Sequence, residues 1–399
     1  MRKEFLSFPR SVKLFLISQF LLAGYYTWPF WFGFASQIIT PSQFGVYLAT
    51  FYIIGLAAEI PTGAFADSYG RKLSGLIGAL CGVIMPLVIY FSNSFSGFIT
   101  GAIIAGIGGA FTSGSLESLV HDLPDVTKDL YRRIMLQETF FWQSGLIIST
   151  ALGGFMYTTK SSIPFFAQAI SFLSAALIIL QIPSDKVAHS KGTITPSYRQ
   201  KLEEYLKTNL QGFTHLFKIT AIRPLIVFGT ALNVLMWMSI EYINEAAMIH
   251  YDLQPEIRGL LLSGTKVIAL IILNLFVISN IKSDRQKLIY LMFMTLTVFL
   301  LFATGIKSLF LLGFLGFNLI SSVNANFIKP MLHDHIESKW RATAISSYSF
   351  VGNLAQAITA VIIGIALQNN GVIFVQRSLL IIFIVIALPA LMRYLPKVN

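Results

Sequence analysis

Among the ionisable side chains inside otherwise apolar runs of this 399-residue chain are Glu59, Glu117, Glu138, Glu241, Glu245 and Lys266. Holding such a group in hydrocarbon costs roughly 2.5–3.5 kcal/mol on insertion scales, so each needs a partner, water or a task. Lys266 is the one base among them, and its long stem can carry the ammonium toward Glu241 or Glu245. That pairing reads either as a structural ion pair or as an exchangeable one that trades partner with a solute or a proton. Asn233, Trp237, Glu241 and Glu245 recur every four residues, which places them on one helical face. Glu138, Trp142 and Gly145 align the same way, and Gln19 and Tyr26 stand seven apart. Glu59, Glu117 and Glu138 fall near the ends of their runs and read first as gate residues. Asn318, Asn324, Asn326, Tyr348, Asn353 and Gln356 add polar atoms in two later runs, with Asn353 and Gln356 on one face at i and i+3. Some of these serve as interhelical hydrogen bonds, worth on average about 0.6 kcal/mol.

What the chain lacks is also informative. It has no H-E-x-x-H and no G-x-x-x-x-G-K-[ST] pattern, and its six His lie mostly in loops. No nucleophile–base or metal constellation emerges, so no catalytic residue, metal or cofactor is expected. The single cysteine, Cys81, sits in an apolar run and reads as a small core residue.

The elements that position these groups follow from composition. Hydrophobic residues make up 55% and charged residues 12%, with a mean hydropathy of +0.70. Crossing about 30 Å of hydrocarbon takes roughly 20 apolar residues as helix. Twelve runs meet that need: 13–35, 42–66, 72–91, 95–118, 134–157, 161–182, 222–245, 257–280, 286–305, 309–330, 342–366 and 372–394, numbered here as spans 1 to 12. The basic start resembles a signal peptide, but its apolar run continues to about residue 34 without a small-residue cleavage site, so it reads as span 1. The expected fold is an all-α polytopic membrane protein. Its units are a six-helix bundle at 1–183, a linker at 184–221 and a second six-helix bundle at 222–399. Within the linker, residues 198–217 repeat apolar positions at helical spacing and read as an amphipathic helix on the membrane surface.

Charge sets the expected orientation. With Met1 inside the cell, 24 of the 29 Lys and Arg fall in inner segments. Lys160, Arg258, Lys307 and Arg377 fall outside, and Lys266 lies within a span. This asymmetry places both termini in the cytoplasm and explains the net charge of +11 without a nucleic-acid partner.

Between spans 2 and 3 the chain reads Gly63-Ala64-Phe65-Ala66-Asp67-Ser68-Tyr69-Gly70-Arg71-Lys72, preceded by Glu59-Ile60-Pro61-Thr62. This resembles the signature loop of the major facilitator superfamily, with the E-I-P-T-G lead-in of a group of bacterial exporters. Residues 111–122 are similar to that group's S-G-S-x-E-A-L-x-x-D stretch, which makes Asp122 a partner for Arg71. Residues 341–347 are similar to its start of span 11. Locally, Gly63 is expected to let two helices approach, and Gly70 to allow a tight turn. The resemblance implies an inner-rim latch between Asp67 and Arg341, made in one access state and broken in the other. Ser68 stands where the family has arginine. In span 5, Gly145, Gly153 and Gly154 remain of an exporter pattern whose Gly-Pro kink is absent. The resemblance further implies a monomeric transporter of the bacterial inner membrane, working by alternating access and using protons to drive efflux of a small amphiphilic compound. Import of a sugar or peptide is the alternative. An aromatic, partly acidic cavity suits cationic solutes, while Lys266 leaves room for anionic ones.

If the pairing of Lys266 is exchangeable, Lys266→Met abolishes gradient-driven transport in vesicles while expression survives. Unchanged flux would leave the lysine a purely structural role.

Overall fold

The computed structural model describes residues 2–123, 126–183, 200, 203, 207–208, 210–212, 214, 217–220, 222–272, 283–334, 336 and 341–395. The predicted amphipathic segment at 198–217 lies largely outside them, as does the stretch 273–280 of span 8. Among the described residues the spans are built from helices, which satisfy each backbone N–H and C=O within their own segment.

Most spans appear where hydropathy puts them. Pro41–Tyr69, Arg71–Ser92, Lys128–Thr159, Ile163–Ile179, Asp284–Ala303 and Lys307–Asp334 form spans 2, 3, 5, 6, 9 and 10. Span 8 begins at Pro255. The helix Arg341–Ile382 runs through span 11 and into span 12, interrupted at Gly371, whose φ of 77° turns the chain. Gly70, with φ 97°, makes the corresponding turn between spans 2 and 3, as its sequence position predicts. Side-chain caps close other ends: Ser94 accepts from Gly97 N, and Thr127 from Leu130 N, each at 3.3 Å.

Among the described residues four spans depart from continuous α-helix, span 12 through a π-helical turn at Phe383–Ala387. Span 4 breaks at Ser113–Gly114, where Gly114 has φ 67°, and resumes as the short helix Ser115–His121. Span 7 carries a π-helical turn at Ser239–Ile243 between Arg223–Met238 and Asn244–His250. The extra residue of that turn rotates whatever follows, so the expected straight stripe from Asn233 to Glu245 does not hold.

The largest departure is in span 1. Helix Arg10–Leu22 stops, and a short 3₁₀ turn at Trp28–Phe30 leads into Trp31–Ala35. Pro29 lacks the N–H that would reach back to Tyr25, and its ring crowds that carbonyl, while Gly24 loosens the chain just before. Gln19 and Tyr26 therefore do not share a face, contrary to the sequence-based expectation.

The broken segment is held by its neighbours. Ser149 of span 5 donates to Ala23 O at 3.0 Å, and Ser171 of span 6 to Leu21 O at 2.8 Å. Gln168 Oε1 accepts from both Thr27 Oγ1 (2.7 Å) and Thr27 N (3.3 Å). Span 5 reaches this close because it presents glycines: a Cβ on Gly145 would overlap the Phe20 carbonyl, and one on Gly153 the Tyr26 carbonyl.

The chain forms two compact units. One comprises Met1–Phe34, Thr50–Lys201 and Gln254–Ser263, the other Ala35–Ala49, Leu202–Leu253 and Gly264–Asn399. In the first, Val12, Phe15, Leu16, Leu119, Val120 and Ile179 anchor a fully buried core. Spans 3 and 4 are tied by Ser74, which donates to Phe111 O at 2.8 Å and meets Ser115 Oγ at 3.0 Å. Glycines again permit contact where Gly154 abuts Pro255 O. In the second unit, Phe299, Phe302, Phe310 and Phe314 form a buried aromatic column, and a Cβ on Gly364 would stand 2.7 Å from Pro41 O.

Gly63 is a correction. A Cβ there meets nothing within 4 Å among the described residues, so close helix approach is not its role. Gly63→Ala should accordingly leave the thermal unfolding midpoint of the detergent-solubilised protein unchanged. Gly145→Val should lower it by several degrees, since overpacking typically costs about 1–3 kcal/mol. Equal behaviour of the two variants would contradict the packing described.

Candidate functional site

The break in span 1 borders a cavity of about 410 Å³ within the first unit. Gln19 and Leu22 reach it from the end of the first half-helix, and Tyr25 from the break itself. Span 5 contributes Glu138, Thr139 and Trp142, which are four residues or fewer apart and so share one side of the helix. The second break, at Ser113–Gly114, turns the chain so that Glu117, in the first turn of the short helix, also lines the cavity. Tyr25 sits at the centre of an aromatic group, edge-on to Phe172 at 5.5 Å, Trp28 at 6.1 Å and Trp142 at 6.3 Å. Such edge contacts are worth about 0.5–1.5 kcal/mol each beyond area burial. Glu138 is half-buried and Glu117 exposed. Their charges act on each other, and both act on Tyr131. Gln19 is only 6% exposed.

Of the sequence-predicted residues, the cavity thus gathers Gln19, Glu117, Glu138 and Trp142. Tyr26 is not among its lining; Tyr25 takes that place. Gly145 packs on span 1 instead.

At the rim of the same unit, the Arg71 guanidinium bridges the Asp122 carboxylate and donates to Ser118 O at 3.0 Å. His121 Nδ1 lies 3.1 Å from the other Asp122 oxygen. Lys72 donates to Leu180 O at 2.7 Å, and Ser68, in the signature arginine's position, bonds back to Ala64 O at 2.8 Å. Glu59 and Asp67 are exposed. The side chain of Arg341, the expected partner of Asp67, lies outside the described residues.

The second unit holds the remaining candidates. Gln356 Nε2 donates to Asn233 Oδ1 at 2.8 Å, which joins spans 7 and 11 and places two predicted residues together. Glu241 lies in the π-helical turn, and its charge and that of Lys266 act on one another. Glu245 is 7% exposed, whereas Trp237 is 39% exposed. Asn353 is half-buried, and the side chains of Asn318, Asn324 and Asn326 fall outside the described residues. Sequence reasoning missed Gln168, although an amide in the middle of an apolar run was a signal. Among the described residues no group of three metal-ligating side chains occurs.

The family model of the Major Facilitator Superfamily matches residues 14–360. The chain belongs to that superfamily. Among curated relatives of this superfamily member, the quinolone resistance protein NorA of Staphylococcus aureus is 21% identical over 361 residues, covering 85% of this chain and 89% of NorA. The uncharacterized MFS-type transporter YxaM of Bacillus subtilis is 26% identical over 145 residues, or 36% of each chain. Solved structures share the fold at low identity. The nucleoside transporter NupG superposes with a TM-score of 0.76 at 15% identity, covering 96% of this chain and 98% of NupG. The D-xylose-proton symporter gives 0.67 at 17%, with 96% and 97% covered. The superfamily chain is therefore a membrane-embedded transporter of small molecules built on the MFS fold.

The Arg71–Asp122 pair is 32% and 43% exposed in its side chains, so solvent screens it. Asp122→Asn should lower stability by no more than about 1 kcal/mol, the range of exposed pairs, and less at high salt. A loss of several kcal/mol in thermal unfolding would show that this bridge anchors the rim.

Proposed function

We propose that this transporter is a proton-coupled exporter of small amphiphilic compounds, drugs or natural products. In this reading it works as a monomer in a bacterial plasma membrane, with both termini in the cytoplasm. Two six-helix bundles, joined by the linker at 184–221, alternate access to a path between them. The latch residues Glu59, Gly63, Asp67, Gly70, Arg71, Lys72, Asp122 and Arg341 bias one state.

The observation that carries the reading is the alignment with NorA along most of both chains. The acidic, aromatic lining of the cavity supports it, because such a surface accepts an apolar body and a charged or polar head. The lack of a nucleotide-phosphate loop in the sequence favours an ion gradient as the energy source. Glu117, Glu138 and the Glu241–Lys266 pair are the candidates to exchange protons, and Asn233, Glu245, Asn353 and Gln356 to line the path. Import is the second reading, favoured by the D-xylose-proton symporter among the structural neighbours.

A deletion strain should become more susceptible to several unrelated amphiphilic compounds and should secrete less of its own. The best hit should then accumulate in inverted vesicles when a proton gradient is imposed. Accumulation confined to right-side-out vesicles would reverse the direction, and flux indifferent to the gradient would end the coupling claim.

A further inference from the structure

The N-terminal end of span 5 carries a surface that neither the cavity nor the rim uses. Thr127 caps the helix, so it starts at Lys128, ahead of the apolar run that begins near residue 134. Lys128, Arg132, Leu136 and Phe140 follow one another at four-residue steps and are all exposed, Leu136 at 75% and Phe140 at 45%. Two charges thus give way to two apolar chains along about 18 Å of helix, at roughly 1.5 Å per residue.

The start of the chain lies alongside. The Phe5 ring stands 5.2 Å from that of Phe141, and the Arg133 guanidinium lies over the Phe8 ring at 6.0 Å. Lys13 donates to Leu6 O at 2.7 Å and so closes the short helix Arg2–Ser7. Together the segments 5–13 and 128–136 carry Arg10, Lys13, Lys128, Arg132 and Arg133 against a single carboxylate, Asp129.

We propose that this surface binds an anionic phospholipid of the phosphatidylglycerol type. Its phosphate lies between Lys128 and Arg132, and an acyl chain follows Leu136 and Phe140. The apolar half of the line decides between partners of like charge. A nucleic acid or an acidic peptide would leave Leu136 and Phe140 in water, whereas a phospholipid offers phosphate and then hydrocarbon in that order. Each Lys or Arg near an anionic surface strengthens attraction about fivefold, so two acting on one headgroup support a preference on the order of tenfold over a zwitterionic lipid. The site goes beyond the export reading and depends on neither its direction nor its coupling ion. With the termini in the cytoplasm, as proposed above, the lipid belongs to the inner leaflet.

The test places a bimane fluorophore on Leu136→Cys, in a Cys81→Ala background, in the full-length protein in phosphatidylcholine nanodiscs. Increasing fractions of phosphatidylglycerol or phosphatidylcholine, each with a nitroxide on its acyl chain, then quench it. Half-quenching by the glycerol lipid should need a mole fraction about tenfold lower, and the gap should narrow at high salt. Phe155→Cys, exposed toward the other end of the same helix, should be quenched by the two lipids within about twofold. Lys128→Gln with Arg132→Gln should bring the two lipids within about twofold at position 136. Lys160→Gln, at the far cap of that helix, should leave the preference intact. Unchanged quenching at position 155 in the double variant shows that its fold is retained. Equal quenching by both lipids at position 136, a preference that survives the double variant, or the same preference at position 155 would overturn the assignment. None of these outcomes touches the export reading, which stands or falls on the deletion strain and the vesicles.

Discussion

Hydrocarbon gives a backbone carbonyl nothing to bond to, and the most consequential feature of this chain is the place where that constraint is tested. Span 1 stops being helical at Ala23 and resumes only at Trp28. Each polar atom released there must find a partner or incur a penalty of several kcal/mol. Ser149, Ser171 and Gln168 supply those partners from two neighbouring spans. The glycines of span 5 then acquire a specific purpose: without the close approach at Gly145 and Gly153, the Ser149 hydroxyl would not reach the Ala23 carbonyl. Break, staples and glycines form one device.

The device places chemistry as well as conserving hydrogen bonds. A continuous helix would turn Tyr25 to a different side, and the half-helix end would not exist. With the break, Tyr25 joins Trp142 and Phe172 at the wall of a cavity that two carboxylates share. The second interruption, at Gly114, does the same for Glu117. In the other unit the π-helical turn at Ser239–Ile243 carries Glu241, so that acid too occupies irregular helix. The membrane-embedded acids Glu117 and Glu241 thus stand beside departures from ideal α-helix, where side-chain direction can be adjusted without abandoning the span.

Hydropathy made the architecture legible, because apolar length is a property of the sequence alone and a bilayer enforces it. The turn at Gly70 and the Arg71–Asp122 bridge were likewise readable, the first from steric freedom and the second from a short motif. The breaks were not, for a physical reason. A run that is apolar from end to end gives no sign of where its helix stops, and Gly24 and Pro29 are each tolerated inside membrane helices. Gly24 and Pro29 weaken the helix, and the partners Ser149, Gln168 and Ser171, distant in sequence, hold it open there. Assigning Tyr26 rather than Tyr25 to the site followed directly from assuming unbroken 3.6-residue periodicity. The π-helical turn defeated the four-residue stripe of span 7 in the same manner.

Hydrogen exchange across residues 10–35, in the intact protein in nanodiscs and in its Gln168→Leu variant, addresses the central point most directly. A stapled break predicts slow exchange over Arg10–Leu22 in both proteins and faster exchange confined to residues 23–30, which the loss of Gln168 accelerates further. Uniform protection from 10 to 35, indifferent to Gln168, would mean that span 1 is an ordinary helix and that the cavity is not built as described.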